Sequence, residues 1–156
     1  MRHKLLFLCF FFAIWAPAPA AAMTDGETTA QDRPMIQALL ALGARYRYGG
    51  HSPRTGFDCS GLVLHVFDKA WGLLLPRRAE EQSAVGAPVK LAELQPGDLL
   101  FYNTRNRAFS HVGIYLGDGR FIHAPRAGER VRTESIQSPY WRARFNGARR
   151  LEPPEA

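Results

Sequence analysis

Apolar positions along this chain first cluster, then recur with helical spacing, and finally alternate, and each regime predicts a different element. Leu5 to Trp15 is an almost unbroken apolar run that follows Arg2, His3 and Lys4 and ends in Ala16-Pro17-Ala18-Pro19-Ala20-Ala21-Ala22. A basic start, a short apolar stretch and A-x-A sites are the layout of a secretory signal peptide, and the run is short for a bilayer span. We place the cut after Ala22, with Ala18 and Ala20 as alternatives. Met23 to Arg33 is polar without periodicity and reads as a flexible leader. Pro34 suits a first helical turn, and Met35, Ile36, Leu39, Leu40 and Ala44 then follow helical spacing.

Tyr46 to Gly56 carries Gly49-Gly50, Pro53 and Gly56 and reads as a loop. Leu62, Val63, Val66, Phe67 and Ala70 next form one helical face, with Asp58 as N-cap and Gly72 as stop. A short helix is expected over Ala79 to Val85. Leu94-Gln95-Pro96-Gly97-Asp98 turns into a strand from Leu99 to Tyr102. From Phe109 to Leu116 the pattern alternates, with His111, Gly113 and Tyr115 on one face and Val112, Ile114 and Leu116 on the other. Gly117-Asp118-Gly119 turns the chain, Arg120 to Ala124 returns as a strand, and a last strand is expected near Ala148 to Leu151. Helices first and an antiparallel meander afterwards make an α+β pattern.

Length and charge narrow this little. Removal of residues 1–22 leaves 134 of the 156, one domain with room for a core. The formal charge is +6, and +4 without residues 1–22, with the excess concentrated between Arg126 and Arg150. Such a surface suits an anionic partner or simply keeps the chain soluble, and export makes nucleic acid a poor candidate.

Cysteine usage changes the picture more. Of the two cysteines, Cys9 lies in the apolar run, behind large Phe7-Leu8 rather than the small residues of a lipid-anchoring site. Cys59 is then alone in a chain bound for an oxidising compartment, where it has no internal disulfide partner. It falls at the predicted start of a helix. Free N–H groups and a partial positive charge there would lower a thiol pKa, and a nearby histidine would take its proton. The hairpin centred on Gly117-Asp118-Gly119 sets His111 opposite a residue between His123 and Pro125. The two histidines therefore come within side-chain reach of each other. One would be a base and the other its orienter, and spacing alone does not say which. A packed small cysteine and two ordinary half-buried histidines remain the bland alternative. His51, in a loop, and His65, off the apolar helix face, are read as non-catalytic. No C-x-x-C or H-x-x-x-H pair supports a zinc site, so neither metal nor cofactor is expected.

Five segments in order resemble the NlpC family of bacterial cell-wall cysteine peptidases. They are Tyr46-Arg47-Tyr48-Gly49-Gly50, Gly56-Phe57-Asp58-Cys59-Ser60-Gly61, Leu94 to Phe101, Ser110-His111-Val112-Gly113-Ile114-Tyr115 and Phe121-Ile122-His123-Ala124. Ser138 to Arg142 and Gly147 to Leu151 resemble the end of the same domain. The resemblance implies a papain-like fold, with N-terminal helices packed on a central antiparallel sheet, over residues 34–152. It implies a monomeric, exported (periplasmic or secreted) endopeptidase that acts on peptidoglycan stem peptides. The bond would be γ-D-glutamyl–diamino acid or a cross-link. By the same resemblance Cys59 is the nucleophile, His111 the base and His123 its orienter. Tyr46, Asp58 and Ser60 would line the oxyanion or substrate site, Asp58 having its N-cap role as the alternative. Gly97, Asp98 and Gly113 match structural positions. Without a wall-binding repeat, affinity for the wall would draw on Arg142, Arg144, Arg149 and Arg150. An amidase or acyltransferase on the same centre, and a non-catalytic wall-binding module, are the rival readings.

Overall fold

The computed structural model describes residues 28–155. The signal-peptide reading and the first part of the leader lie outside them. Ala30–Asp32, at the end of the segment read as a leader, form a 3-10 turn that runs into helix α1, Arg33–Leu40. Strands β1, His51–Ser52, and β2, Gly56–Phe57, make a small hairpin before helix α2, Cys59–Trp71. Helix α3 spans Ala79–Gln82. Strands β3, Ala87–Val89, β4, Leu99–Tyr102, β5, His111–Gly117, β6, Arg120–His123, and β7, Arg132–Ser135, follow, then helix α4, Pro139–Arg142, and strand β8, Phe145–Arg150. The last six strands form one antiparallel sheet in the order β3-β8-β4-β5-β6-β7. Among the described residues no helix is long and apolar enough to cross a membrane.

The alternation read from sequence divides the sheet into two faces. Leu99, Phe101, Val112, Ile114 and Ile122 turn toward α2 and meet Leu62, Val63, Val66 and Phe67 in the main core. Leu100, Tyr102, Tyr115 and Phe121 turn the other way and bury Trp141 of α4. The period-two pattern of a strand buried on both faces produces this division. Ile114 pairs with Ile122 and Tyr115 with Phe121, the register expected for the hairpin, with an irregularity before Gly117. Gly117, Asp118 and Gly119 all take positive φ, which is why two glycines stand in that turn.

Helix α1 does not bury the large apolar residues whose spacing marks it. Its buried residues are Pro34 and Ala38, followed by Ala41, whereas Ile36, Leu39 and Leu40 are exposed. Small side chains face α2, so the two helices approach closely, and large apolar residues at such a seam would hold them apart. The expected helix at Ala79 to Val85 is a single turn. Neither β3 nor β7 has the alternation that would have marked it. The C-terminal basic cluster is also partly structural. Arg150 forks onto both oxygens of buried Asp98 at 2.8 Å and Arg149 donates to the Ser83 carbonyl at 2.5 Å. Asp98 additionally accepts the Gln95 N–H at 2.7 Å, closing the turn before β4.

Candidate active site

Asp58 explains why a helix begins at Cys59. Its backbone is extended, and its Oδ1 accepts the Gly61 N–H at 2.8 Å, which satisfies one of the free donors of the first turn. Its Oδ2 accepts the Gly49 N–H at 2.8 Å and the Arg77 Nη2 at 2.6 Å. Arg77 Nη1 donates to Ser60 Oγ at 2.8 Å. Buried Gln82 donates to the Ser60 carbonyl at 3.2 Å and to the Pro76 carbonyl at 2.9 Å. The start of α2 is therefore fastened to the glycine-rich loop on one side and to the segment before α3 on the other. The loop fits because Gly61 lacks a Cβ: a carbon there would lie 1.9 Å from the Gly50 carbonyl oxygen.

The Cys59 thiol is nearly buried, at 9% exposure, and the backbone N–H groups of Val112 and Ser60 act on its sulfur in favour of the thiolate. Val112 directly follows His111, so the head of β5 abuts the head of α2. Across the β5–β6 hairpin, His111 Nε2 lies 2.8 Å from His123 Nδ1, and both rings are buried. Trp141 stacks on His111 at 5.6 Å between centroids and meets His123 edge-on at 5.0 Å. His123 Nε2 has no hydrogen-bond partner among the described residues, and the nearest carboxylate oxygen, Glu134 Oε1, is 3.8 Å away.

Two cavities flank this junction. One, about 470 Å³, is lined by Cys59 with Tyr46, Asp58, Ser60 and Arg77. The other, about 440 Å³, is lined by His111 and His123 with Glu129, Glu134 and Trp141. Arg105, on the loop between β4 and β5, lines both. Its guanidinium also stands against the Tyr46 hydroxyl.

Burial governs the protonation states. It pushes the Cys59 thiol up, and the N–H groups of Val112 and Ser60 offset only part of that. It pulls His111 well below the usual imidazole value and His123 down to about 3. The expectation of a thiol lowered by the helix start is thus reversed in the resting site: desolvation outweighs the partial charge, and thiol and imidazoles rest neutral.

A dependence of stability on pH follows. The unfolded chain takes up protons on these two histidines near pH 6.5, the ordinary imidazole value, while the fold refuses them until far lower pH. Their neutral burial costs nothing above that value and destabilises increasingly as pH falls through it. Each histidine is expected to remove about 2 kcal/mol between pH 7.5 and 5.0, at about 1.4 kcal/mol per unit. Urea unfolding at the two pH values measures the sum, and His123→Gln should abolish one share. A flat profile would show that the rings are not held neutral.

The structure brings Tyr46, Asp58, Cys59 and Ser60 to one cavity and sets His111 and His123 in contact with each other in the second. His51 is exposed on β1, and His65 packs half-buried against Phe57 at 5.2 Å, both apart from this cluster. Sequence reasoning missed Arg77, Arg105, Glu134 and Trp141. Only Trp141 carried a signal, as a large aromatic in a segment that resembled the end of the domain. Residues 43–150 match the model of the NlpC/P60 family. The chain belongs to the NlpC/P60 family.

Relatives within NlpC/P60 include the murein DD-endopeptidase MepH of Escherichia coli, 41% identical over 78% of this chain and 46% of that protein. The gamma-DL-glutamyl hydrolase of Bacillus subtilis is 45% identical over 78% of this chain and 30% of that one. The chain thus spans less than half the length of either curated relative. An NlpC/P60 protein from Bacillus cereus superposes with a TM-score of 0.72 at 36% identity, covering 80% of this chain and 41% of that one. The NlpC/p60 domain of the peptidoglycan hydrolase SagA superposes at 0.68 with 32% identity, covering 78% of this chain and 98% of that domain. The expected α+β architecture, with helices on an antiparallel sheet, is the family's own.

Proposed function

We propose that this NlpC/P60 chain is a cysteine endopeptidase that hydrolyses amide bonds in peptidoglycan stem peptides outside the cytoplasm. The observation that carries the reading is a buried thiol at the start of α2 together with a hydrogen-bonded histidine pair that begins on β5, the strand packed on that helix. It lies inside a family segment whose relatives are named for cleaving murein. His111 has its Nε2 committed to His123, which leaves Nδ1 as the nitrogen available to the thiol. The Glu134 carboxylate near His123 Nε2 favours a proton at that atom. His123 Nδ1 is then an acceptor, His111 donates from Nε2, and the lone pair on Nδ1 is left to act as base. His123 is thus the orienter and His111 the base of a nucleophile–base–orienter set.

With substrate bound, His111 takes the Cys59 proton as the sulfur attacks the scissile carbonyl. The Cys59 backbone N–H, in the first turn of α2, and the Tyr46 hydroxyl are the donors for the resulting oxyanion. Collapse expels the amine, which receives its proton from His111. Water, deprotonated by the same ring, then releases the acyl group. Because the resting thiol is protonated and shielded, sluggish alkylation by iodoacetamide does not separate an enzyme from a binding module here.

Products do separate them. Purified muropeptides incubated with the protein and analysed by mass spectrometry should yield two fragments whose masses sum to substrate plus water, split at a stem-peptide amide. Release of intact stem from sugar would indicate an amidase instead, and unchanged muropeptides at micromolar enzyme would overturn the hydrolase reading.

A further inference from the structure

We propose that the outward face of α1 and the arginines that follow it form a docking surface for an anionic lipid membrane, on which the chain lies without crossing it. The surface is separate from the catalytic cleft, so the inference stands or falls independently of the hydrolase reading.

The face is defined by the helix period. Pro34, Ala38 and Ala41 share one side of α1 and are buried where it packs on α2. Ile36, Leu39 and Leu40 fall on the opposite side, and Leu42 continues the patch in the turn that ends the helix. Leu40 is 74% exposed and Leu42 46%. Single exposed leucines need no explanation, but four large apolar side chains gathered on one short element mark an interaction site.

The charge beside the patch selects the partner. Arg45 and Arg47 lie just beyond the helix end. Arg130, from the segment before β7, pairs with Arg45 in an isolated bridge and donates to the Gly43 carbonyl at 2.8 Å. All three are exposed, and among the described residues none enters an ion pair. Glu129, next to Arg130, is taken by Arg126 and Arg132. At the other end of the helix Arg33 adjoins Asp32 and adds no net charge.

An apolar helix face bordered by arginines suits the interface of a bilayer, with leucines among the acyl chains and cations at anionic headgroups. A second copy of the chain is a poorer occupant. A self-complementary contact would set the same unpaired arginines near one another. A helix about 12 Å long also falls short of the about 800 Å² that each partner gives to a stable dimer.

Vesicle sedimentation tests this with the chain from Met23 onward, which keeps every described residue and lacks the apolar run of Leu5 to Trp15. Vesicles of phosphatidylglycerol and phosphatidylcholine in equal parts are compared with phosphatidylcholine alone. The protein is expected to bind the anionic vesicles about tenfold more tightly or better, with the difference shrinking as salt is raised. Leu40→Ser combined with Leu42→Ser should weaken that binding by about tenfold or more. Arg45→Gln and Arg47→Gln should weaken it by about fivefold each. These side chains are exposed, so the melting temperature and the cleavage of soluble muropeptides should match those of the unmodified protein. Equal binding to the two kinds of vesicle overturns the proposal. Binding that survives the leucine pair also overturns it, by reducing the effect to general attraction of a basic chain. Absence of vesicle binding, together with a dimer in sedimentation equilibrium that the leucine pair dissociates, would assign the face to a second copy and overturn it as well. Failure to cleave muropeptides, with vesicle binding intact, would remove the hydrolase reading and leave the docking surface standing.

Discussion

Replacing Cys59 by alanine is expected to lower kcat/KM for muropeptide cleavage by about 10⁴-fold or more, with the folded state retained. The size follows from the role: without the sulfur no acyl-enzyme forms, and the remaining oxyanion donors and substrate contacts supply only residual catalysis. Retention of the fold follows from the surroundings. The side chain is small and nearly buried at the end of the main core, and the helix start is held by Asp58, Arg77 and Gln82 rather than by the sulfur. Circular dichroism and the melting temperature should change little. Turnover within tenfold of the unmodified protein would remove Cys59 from the mechanism.

Gly61→Ala is expected to cost stability on the order of 4 kcal/mol, beyond the 1–3 usual for overpacking, and to lower the melting temperature by roughly 10 °C or more. The added carbon would meet the Gly50 carbonyl oxygen at 1.9 Å and Asp58 Oδ1 at 2.9 Å, so backbone rather than a pliant side chain must move. Activity should fall with stability, because the same shift displaces Asp58 and with it the helix start. Gly113→Ala offers a contrast of degree: the added carbon would meet the buried Phe121 ring at 2.6 Å and the Ile122 carbonyl oxygen at 2.9 Å, a less severe approach to backbone than at Gly61, so the penalty should be smaller. Equal melting temperatures for Gly61→Ala and the unmodified protein would show that loop and helix do not touch as described.

How much of this was legible beforehand depended on whether local physics decided it. The helix from Cys59 and the β5–β6 hairpin were readable because N-cap, apolar face, glycine turn and alternation all lie within a few residues of one another. The contact between His111 and His123 followed from hairpin arithmetic. Spacing located helix α1 but not its buried side, which is chosen by what α2 allows to come close: Pro34, Ala38 and Ala41 rather than the larger residues. Arg77 was invisible because its partner Asp58 lies 19 residues earlier and nothing local marks the pair. Glu134 was hidden for a similar reason, since β7 is a polar edge strand whose pairing partner β6 alone defines it. The direction of the thiol pKa failed because a helix start was visible in the sequence and the depth of burial was not.

That burial has a consequence for durability. A protonated sulfur packed between Val112, Ser60 and the core is a poor target for peroxide, since oxidation to sulfenic acid and beyond proceeds through the exposed thiolate. Among the described residues Cys59 has no second thiol to regenerate it, so the desolvation that keeps the nucleophile idle is also what shields it from oxidation.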